Sequence, residues 1–171
     1  MRFAYYDRLS PSRQSIYRDS DAIEVLELPV GAIVAAPVGA IRDSLLRADR
    51  VNARRGCQAL LDALVAGYRV PPVRVHVLAQ RPSGDYGELH GLYEPREGRP
   101  PARITVWMRT VQRRQVVAFR SFLRTLVHEF LHHLDYERYK LAETFHTEGF
   151  YKRESSLANA LFAQVDAAKQ P

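Results

Sequence analysis

The sequence predicts an α+β fold, in which a small antiparallel or mixed sheet packs on one long helix and a further helix closes the C-terminal end. Three observations carry this. Val73, Val75 and Val77 alternate with Arg74, His76 and Leu78, the two-residue period of a strand with one buried face. Ile104, Val106 and Met108 alternate in the same way with Thr105, Trp107 and Arg109. The period then changes: Val116, Phe119, Leu123, Leu126 and Phe130 recur at three- and four-residue steps, the spacing of a helix that buries one stripe.

In chain order, Ser10 and Pro11 read as an N-cap followed by proline at the first helical position, where a missing N–H costs no hydrogen bond. A short helix is therefore expected to about Ser20. Tyr5, Tyr6 and Tyr17 are expected to pack this segment onto the rest of the chain, a docking surface being the other reading. Leu28–Ile41 is apolar, but it is too short to span a bilayer and is interrupted by Pro29 and Pro37. From Val51 to Tyr68, Ala59, Leu60, Ala63, Leu64 and Ala66 predict a helix, ended by Gly67 and by Pro71 and Pro72. Residues 81–101 are rich in turn formers, with a short strand expected around Leu89–Tyr93. His76 faces away from the valines and is expected in solvent, whereas His90 is a candidate for a substrate contact. After the long helix, Thr147 can cap a last helix on which Phe150, Leu157, Leu161 and Val165 share a face.

A chain of 171 residues with 46% hydrophobic content supports one domain with a real core, residues 1–171. Residues 1–50 read as an N-terminal helical extension and residues 51–171 as the catalytic core. Cys57 is the sole cysteine, which excludes an intramolecular disulfide and a cysteine-based metal cluster and suits a reducing, cytoplasmic setting. The N-terminus MRFAYYDRLS has no apolar core of the secretory kind, and no membrane association is expected.

The chemistry is concentrated in Thr125–Asp135, TLVHEFLHHLD. On a helix His128 and His132 stack one turn apart and can share a tetrahedral Zn²⁺. Glu129 points roughly 100° away from His128, which keeps it off the metal. From there it can take a proton from a water activated by the metal, as the general base of a hydrolysis. A zinc site that does chemistry normally has three protein ligands and one open position. Downstream, His146 is the preferred third ligand because it sits at the mouth of the next helix, with Glu143 and Glu148 as rivals. Tyr136, Tyr139, Tyr151 and His133 lie near enough in sequence to stabilise an oxyanion, and Asp135 is placed to orient His132 by a hydrogen bond.

HEFLHH followed by HTEGFYKR, with His146 fourteen residues after His132, resembles the SprT-like group of zincin metallopeptidases over Ile104 to about Leu161. The resemblance implies a zincin-like fold, His128, His132 and His146 as zinc ligands, Glu129 as catalytic base, and a protein or peptide substrate. It also implies that the strand before the active-site helix, or its neighbour, lines the cleft at a sheet edge. The chain departs from the group in having Thr147 where glycine is frequent, and it lacks the cysteine-rich zinc ribbon that many members carry.

Net charge is +6, and between Arg96 and Arg124 eight arginines (96, 99, 103, 109, 113, 114, 120, 124) face one acid, Glu97. Such a run can meet nucleic acid, although arginines on helix faces are usually just solvated. The alternative to an enzyme is a zincin-like module that binds nucleic acid or protein around a structural metal. A fourth protein ligand closing the site would favour that alternative.

Overall fold

The middle of the sheet is the strand Ala102–Arg109 in the computed structural model, which describes residues 3–84, 87–110 and 115–167. Numbered along the chain, the strands are β1 (Val73–Gln80), β2 (Ser83–Gly84), β3 (Gly87–Glu88), β4 (Gly91–Glu94) and β5 (Ala102–Arg109). β1 runs parallel to β5, with Val73 opposite Ala102 and Val77 opposite Val106. β4 runs antiparallel along the other side, with Gly91 opposite Val106 and Tyr93 opposite Ile104. The sheet is therefore mixed, in the order β1-β5-β4, and β2 with β3 forms a separate two-stranded ladder. The valines of β1 are buried and Arg74 and His76 exposed, as their alternation predicts. β5 departs from alternation: Thr105 and Trp107 are buried as well as Ile104, Val106 and Met108, because the central strand is covered on both faces.

Among the described residues, a 3-10 turn at Tyr6–Arg8 and five α-helices complete the fold: α1 (Pro11–Asp21), α2 (Ala35–Leu46), α3 (Arg50–Tyr68), α4 (Phe119–Glu137) and α5 (Glu148–Ala167). Ser10 caps α1 by accepting from the Arg13 amide, Asp49 caps α3 by accepting from the Asn52 amide, and Thr147 Oγ1 accepts from the Phe150 amide at the start of α5. α3 continues through Gly67 and ends at Arg69, whose φ of 56° is left-handed. Gly67 has another purpose: a Cβ there would lie 2.7 Å from Pro29 Cγ, so its bareness lets the residue 29 turn pack on the helix.

One apolar core joins α2 (Val38, Ile41, Leu45), α3 (Leu60, Leu61, Leu64), the β1 valines, and the inward stripes of α4 (Leu123, Leu126, Phe130, Leu134) and α5 (Phe150, Leu157, Leu161). Residues 26–46 thus supply side chains to the same core as the segment after residue 50. Cys57 is buried within it as a free thiol. α4 is set against the sheet at its start, where the Val117 amide donates to the Met108 carbonyl at 2.7 Å. A second, smaller cluster of Tyr6, Tyr17 and Phe145 joins the N-terminal segment to the irregular stretch between α4 and α5. Among the described residues, no helix is long and apolar enough to cross a membrane.

Candidate metal centre

The apolar stripe of α4 faces the core and so turns a different stripe, Thr125, His128, His132 and Tyr136, toward a cleft of about 690 Å³. β4, the edge strand, forms the opposite wall through Gly91, Leu92 and Tyr93. His146, at the end of the irregular segment 138–147, comes in over the same cleft. His128, His132 and His146 form a group that could hold a metal ion, their candidate ligand atoms all lying within 4.8 Å of one another. Their Nε2 atoms converge: His128 to His146 is 3.0 Å and His146 to His132 is 3.2 Å. The Phe150 ring lies beneath all three imidazoles, with centroids 4.9–5.2 Å away.

The other nitrogens explain why this convergence suits a cation. His128 Nδ1 lies 2.8 Å from Glu154 Oε2, and a carboxylate only accepts, so the proton sits on Nδ1. His132 Nδ1 lies 2.7 Å from Thr144 Oγ1, whose own hydroxyl donates to Asp135 Oδ2 at 2.8 Å, so Nδ1 of His132 also donates. Both rings therefore aim Nε2 lone pairs into the same space, an arrangement that repels itself unless a positive ion or a proton lies between. Burial first, and then the neighbouring imidazoles, push His132 down to about 3, and burial and His128 lower His146 too. Both are thus held neutral, as metal ligation requires. The donor set fits a metal ion.

Glu129 faces the same cleft but lies behind the ligand stripe, against β4. Its carboxylate is buried, which pushes it up to about 7; Glu154 adds to the rise, while His128 and the Tyr93 backbone amide oppose it. A carboxyl poised near neutrality can both take and return a proton.

The rival ligands are engaged elsewhere. Glu143 takes a bidentate contact from Arg13, with Nη2 to Oε2 at 2.7 Å, and Glu148 pairs with Lys152 at 3.2 Å. His133 is fully buried and bridges Pro71 O (2.8 Å) and the Tyr93 hydroxyl (3.1 Å), fixing β4 to the back of α4. Asp135 reaches His132 only through Thr144, and its other oxygen receives Arg153 at 2.9 Å. Of the four residues placed near an oxyanion by sequence, Tyr136 lines the cleft, Tyr151 stacks on His146, Tyr139 packs under Arg153, and His133 is turned away. His90 does line the cleft.

Three arginines of the basic run are paired within the chain: Arg103 with Glu94, Arg120 with Asp166 and Arg124 with Glu154. Arg113 and Arg114 lie outside the described residues.

Sequence reasoning missed Glu154, Thr144, Tyr93 and Arg153. The readable signal for Glu154 and Arg153 was two adjacent charges on the inward stripe of α5, between Phe150 and Leu157; charged residues on a buried face are nearly always paired. No protein family, curated protein or solved structure matches this chain, so the reading of the site rests on its geometry.

Proposed function

We propose that the chain is a zinc-dependent peptidase in which His128, His132 and His146 hold the metal and Glu129 is the general base. The observation that carries this reading is the position of Glu129: buried, off the three-histidine group, and facing the same cleft. Nitrogens bound tetrahedrally at zinc distances stand about 3.3 Å apart; two of the three separations, 3.0 and 3.2 Å, are close to that spacing, and all three candidate ligand atoms lie within 4.8 Å of one another. A zinc ion held there would supply Lewis acidity to a peptide carbonyl and to the attacking water. Glu129 accepts the proton of that water and returns it to the leaving amine, with the cost of its ionisation set by burial against β4. Glu154 and the Thr144–Asp135 pair keep the ligand tautomers fixed throughout. β4 is a sheet edge beside the histidines, which supports binding of an extended peptide along its backbone.

The non-enzymatic alternative needs a closed site. Glu148, the residue best placed in sequence to close it, is engaged by Lys152, and the three histidines are joined by no fourth ligand among the described residues. The deciding experiment is Glu129→Gln. The variant is expected to bind one equivalent of zinc and to lose hydrolysis of an unfolded protein substrate. Wild-type protein that holds zinc and cleaves nothing would favour the structural-metal reading, and loss of zinc from the variant would make Glu129 a ligand.

A further inference from the structure

The third ligand differs from the other two in how it is held. His128 and His132 are carried on α4, whereas His146 is exposed and is the ninth residue of a ten-residue stretch, 138–147, without regular secondary structure. An imidazole so placed needs outside support to stay within bonding distance of a shared ion. That support comes from the other end of the chain.

The Tyr5 hydroxyl donates to the His146 carbonyl at 2.9 Å. Arg13 grips Glu143, three residues before His146, through Nε and Nη2 at 2.7–3.0 Å, and its guanidinium lies over the Phe145 ring at 5.4 Å. Phe145 itself is buried against Tyr6 and Tyr17, in a cluster separate from the main core. Beyond the ligand, Asp21 Oδ1 accepts from the Gly149 amide at 2.9 Å, and a Cβ at Gly149 would overlap the Asp21 backbone. Contacts from residues 5 to 21 thus bracket His146 on both sides.

We infer that the N-terminal segment, residues 3–24, is a clamp for the third ligand, with Tyr5 and Arg13 as positioning residues that set how tightly the metal is held. The inference rests on the three-histidine metal site. By linkage, whatever the clamp adds to metal affinity the metal returns as order in the clamp. Releasing the segment, by proteolysis or by a competing partner, therefore lowers metal occupancy without touching a ligand.

The test uses the full chain and zinc in competition with a fluorescent chelator near neutral pH. Tyr5→Phe removes one exposed hydrogen bond and Arg13→Ala the contacts of one exposed side chain with Glu143 and Phe145, so the metal-free melting temperature is expected to stay within a few degrees of wild type. Each is expected to weaken zinc several-fold and the pair by about tenfold or more. Arg13→Glu is expected to weaken zinc further, and Arg13→Glu with Glu143→Arg to restore it, while the metal-free melting temperature stays within that range throughout, which a role of Arg13 in general stability alone would not produce. Zinc is also expected to slow limited proteolysis within residues 3–24 of the wild type. If the Tyr5→Phe, Arg13→Ala pair binds zinc like wild type while His146→Ala has lost it, the clamp is wrong and the metal site stands. If His146→Ala binds zinc as wild type does, His146 is no ligand and both readings fall together.

Discussion

Residue 91 has no side chain because the Glu129 carboxylate occupies its place: a Cβ on Gly91 would overlap Oε1 and lie 2.7 Å from Cγ and 2.8 Å from Cδ. The edge strand and the proposed base are therefore built as one unit, and the unit can be split. Gly91→Ala pushes against the far end of a rotatable side chain, so it is expected to fold and to bind zinc as wild type does. The displaced carboxylate no longer reaches its proton, and peptidase kcat/KM is expected to drop by about a hundredfold or more. Zinc content and steady-state rates on the same preparation check this; unchanged rates would mean that the carboxylate position is immaterial.

Burial of the same carboxylate has a price in stability, with a definite sign. Its value in the folded chain is about 7, above the ordinary 4.5, so the folded state holds the proton more tightly than the unfolded state. The metal-free protein loses that contribution as pH rises from about 4.5 through about 7, by an amount of the order of 3 kcal/mol once the group is ionised in both states. Glu129→Gln is neutral at every pH. Metal-free Glu129→Gln is expected to melt several degrees above wild type at pH above 7, with the gain vanishing toward pH 4.5. Calorimetry at the two ends of that range decides; a gain independent of pH would point to packing as its source.

The parts of this structure legible in the sequence are those whose signal is local. β1 and the apolar stripe of α4 follow from period, and α1 and α5 begin where Ser10 and Thr147 can cap them. α2 is less legible because Ala35, Ala36 and Gly39 weaken its apolar period and Pro37 reads as a break, although within the first turn proline costs no hydrogen bond. Gly67 reads as a stop and is instead a contact point for Pro29, a fact that depends on a residue 38 positions away. At the site, the HExxH spacing brings His128, Glu129 and His132 into view. Their supports, Glu154 and Thr144, lie on elements whose approach is set by tertiary packing, so no local period announces them.

Those supports should be measurable. Glu154→Gln replaces a carboxylate on His128 Nδ1 with an amide, and Thr144→Val removes the acceptor on His132 Nδ1. Each is expected to lower zinc affinity by roughly 10–100-fold, the usual cost of removing the group that orients a ligating histidine. Glu154→Gln also takes the charge partner from Arg124, which donates to Oε1 at 3.0 Å, so the Arg124→Ala control is needed to separate the two effects. Zinc competition assays that rank these variants level with wild type would show that α4 alone holds the rings.

Arg153 is the largest fully buried side chain among the described residues, and it joins three parts of the fold. Its Nη1 donates to the Ser20 carbonyl at 2.6 Å and also to the Ile23 carbonyl, while Nη2 donates to Asp135 Oδ1 at 2.9 Å. Asp135 in turn holds Thr144, and Thr144 holds His132. Burial raises the Asp135 carboxyl, and the Arg153 charge is the largest influence pulling it back down, so removing Arg153 leaves an anion with nowhere to go. Arg153→Met is expected to cost roughly 3–5 kcal/mol in urea unfolding, the range for breaking one side of a buried pair. The loss should be smaller in acid, where the stranded Asp135 can take a proton, and should grow as pH rises. Adding Asp135→Asn to Arg153→Met removes the stranded charge and is expected to recover part of the loss. A double variant no more stable than the single one at neutral pH would show that the Ser20 and Ile23 carbonyls, and not Asp135, are what Arg153 chiefly serves.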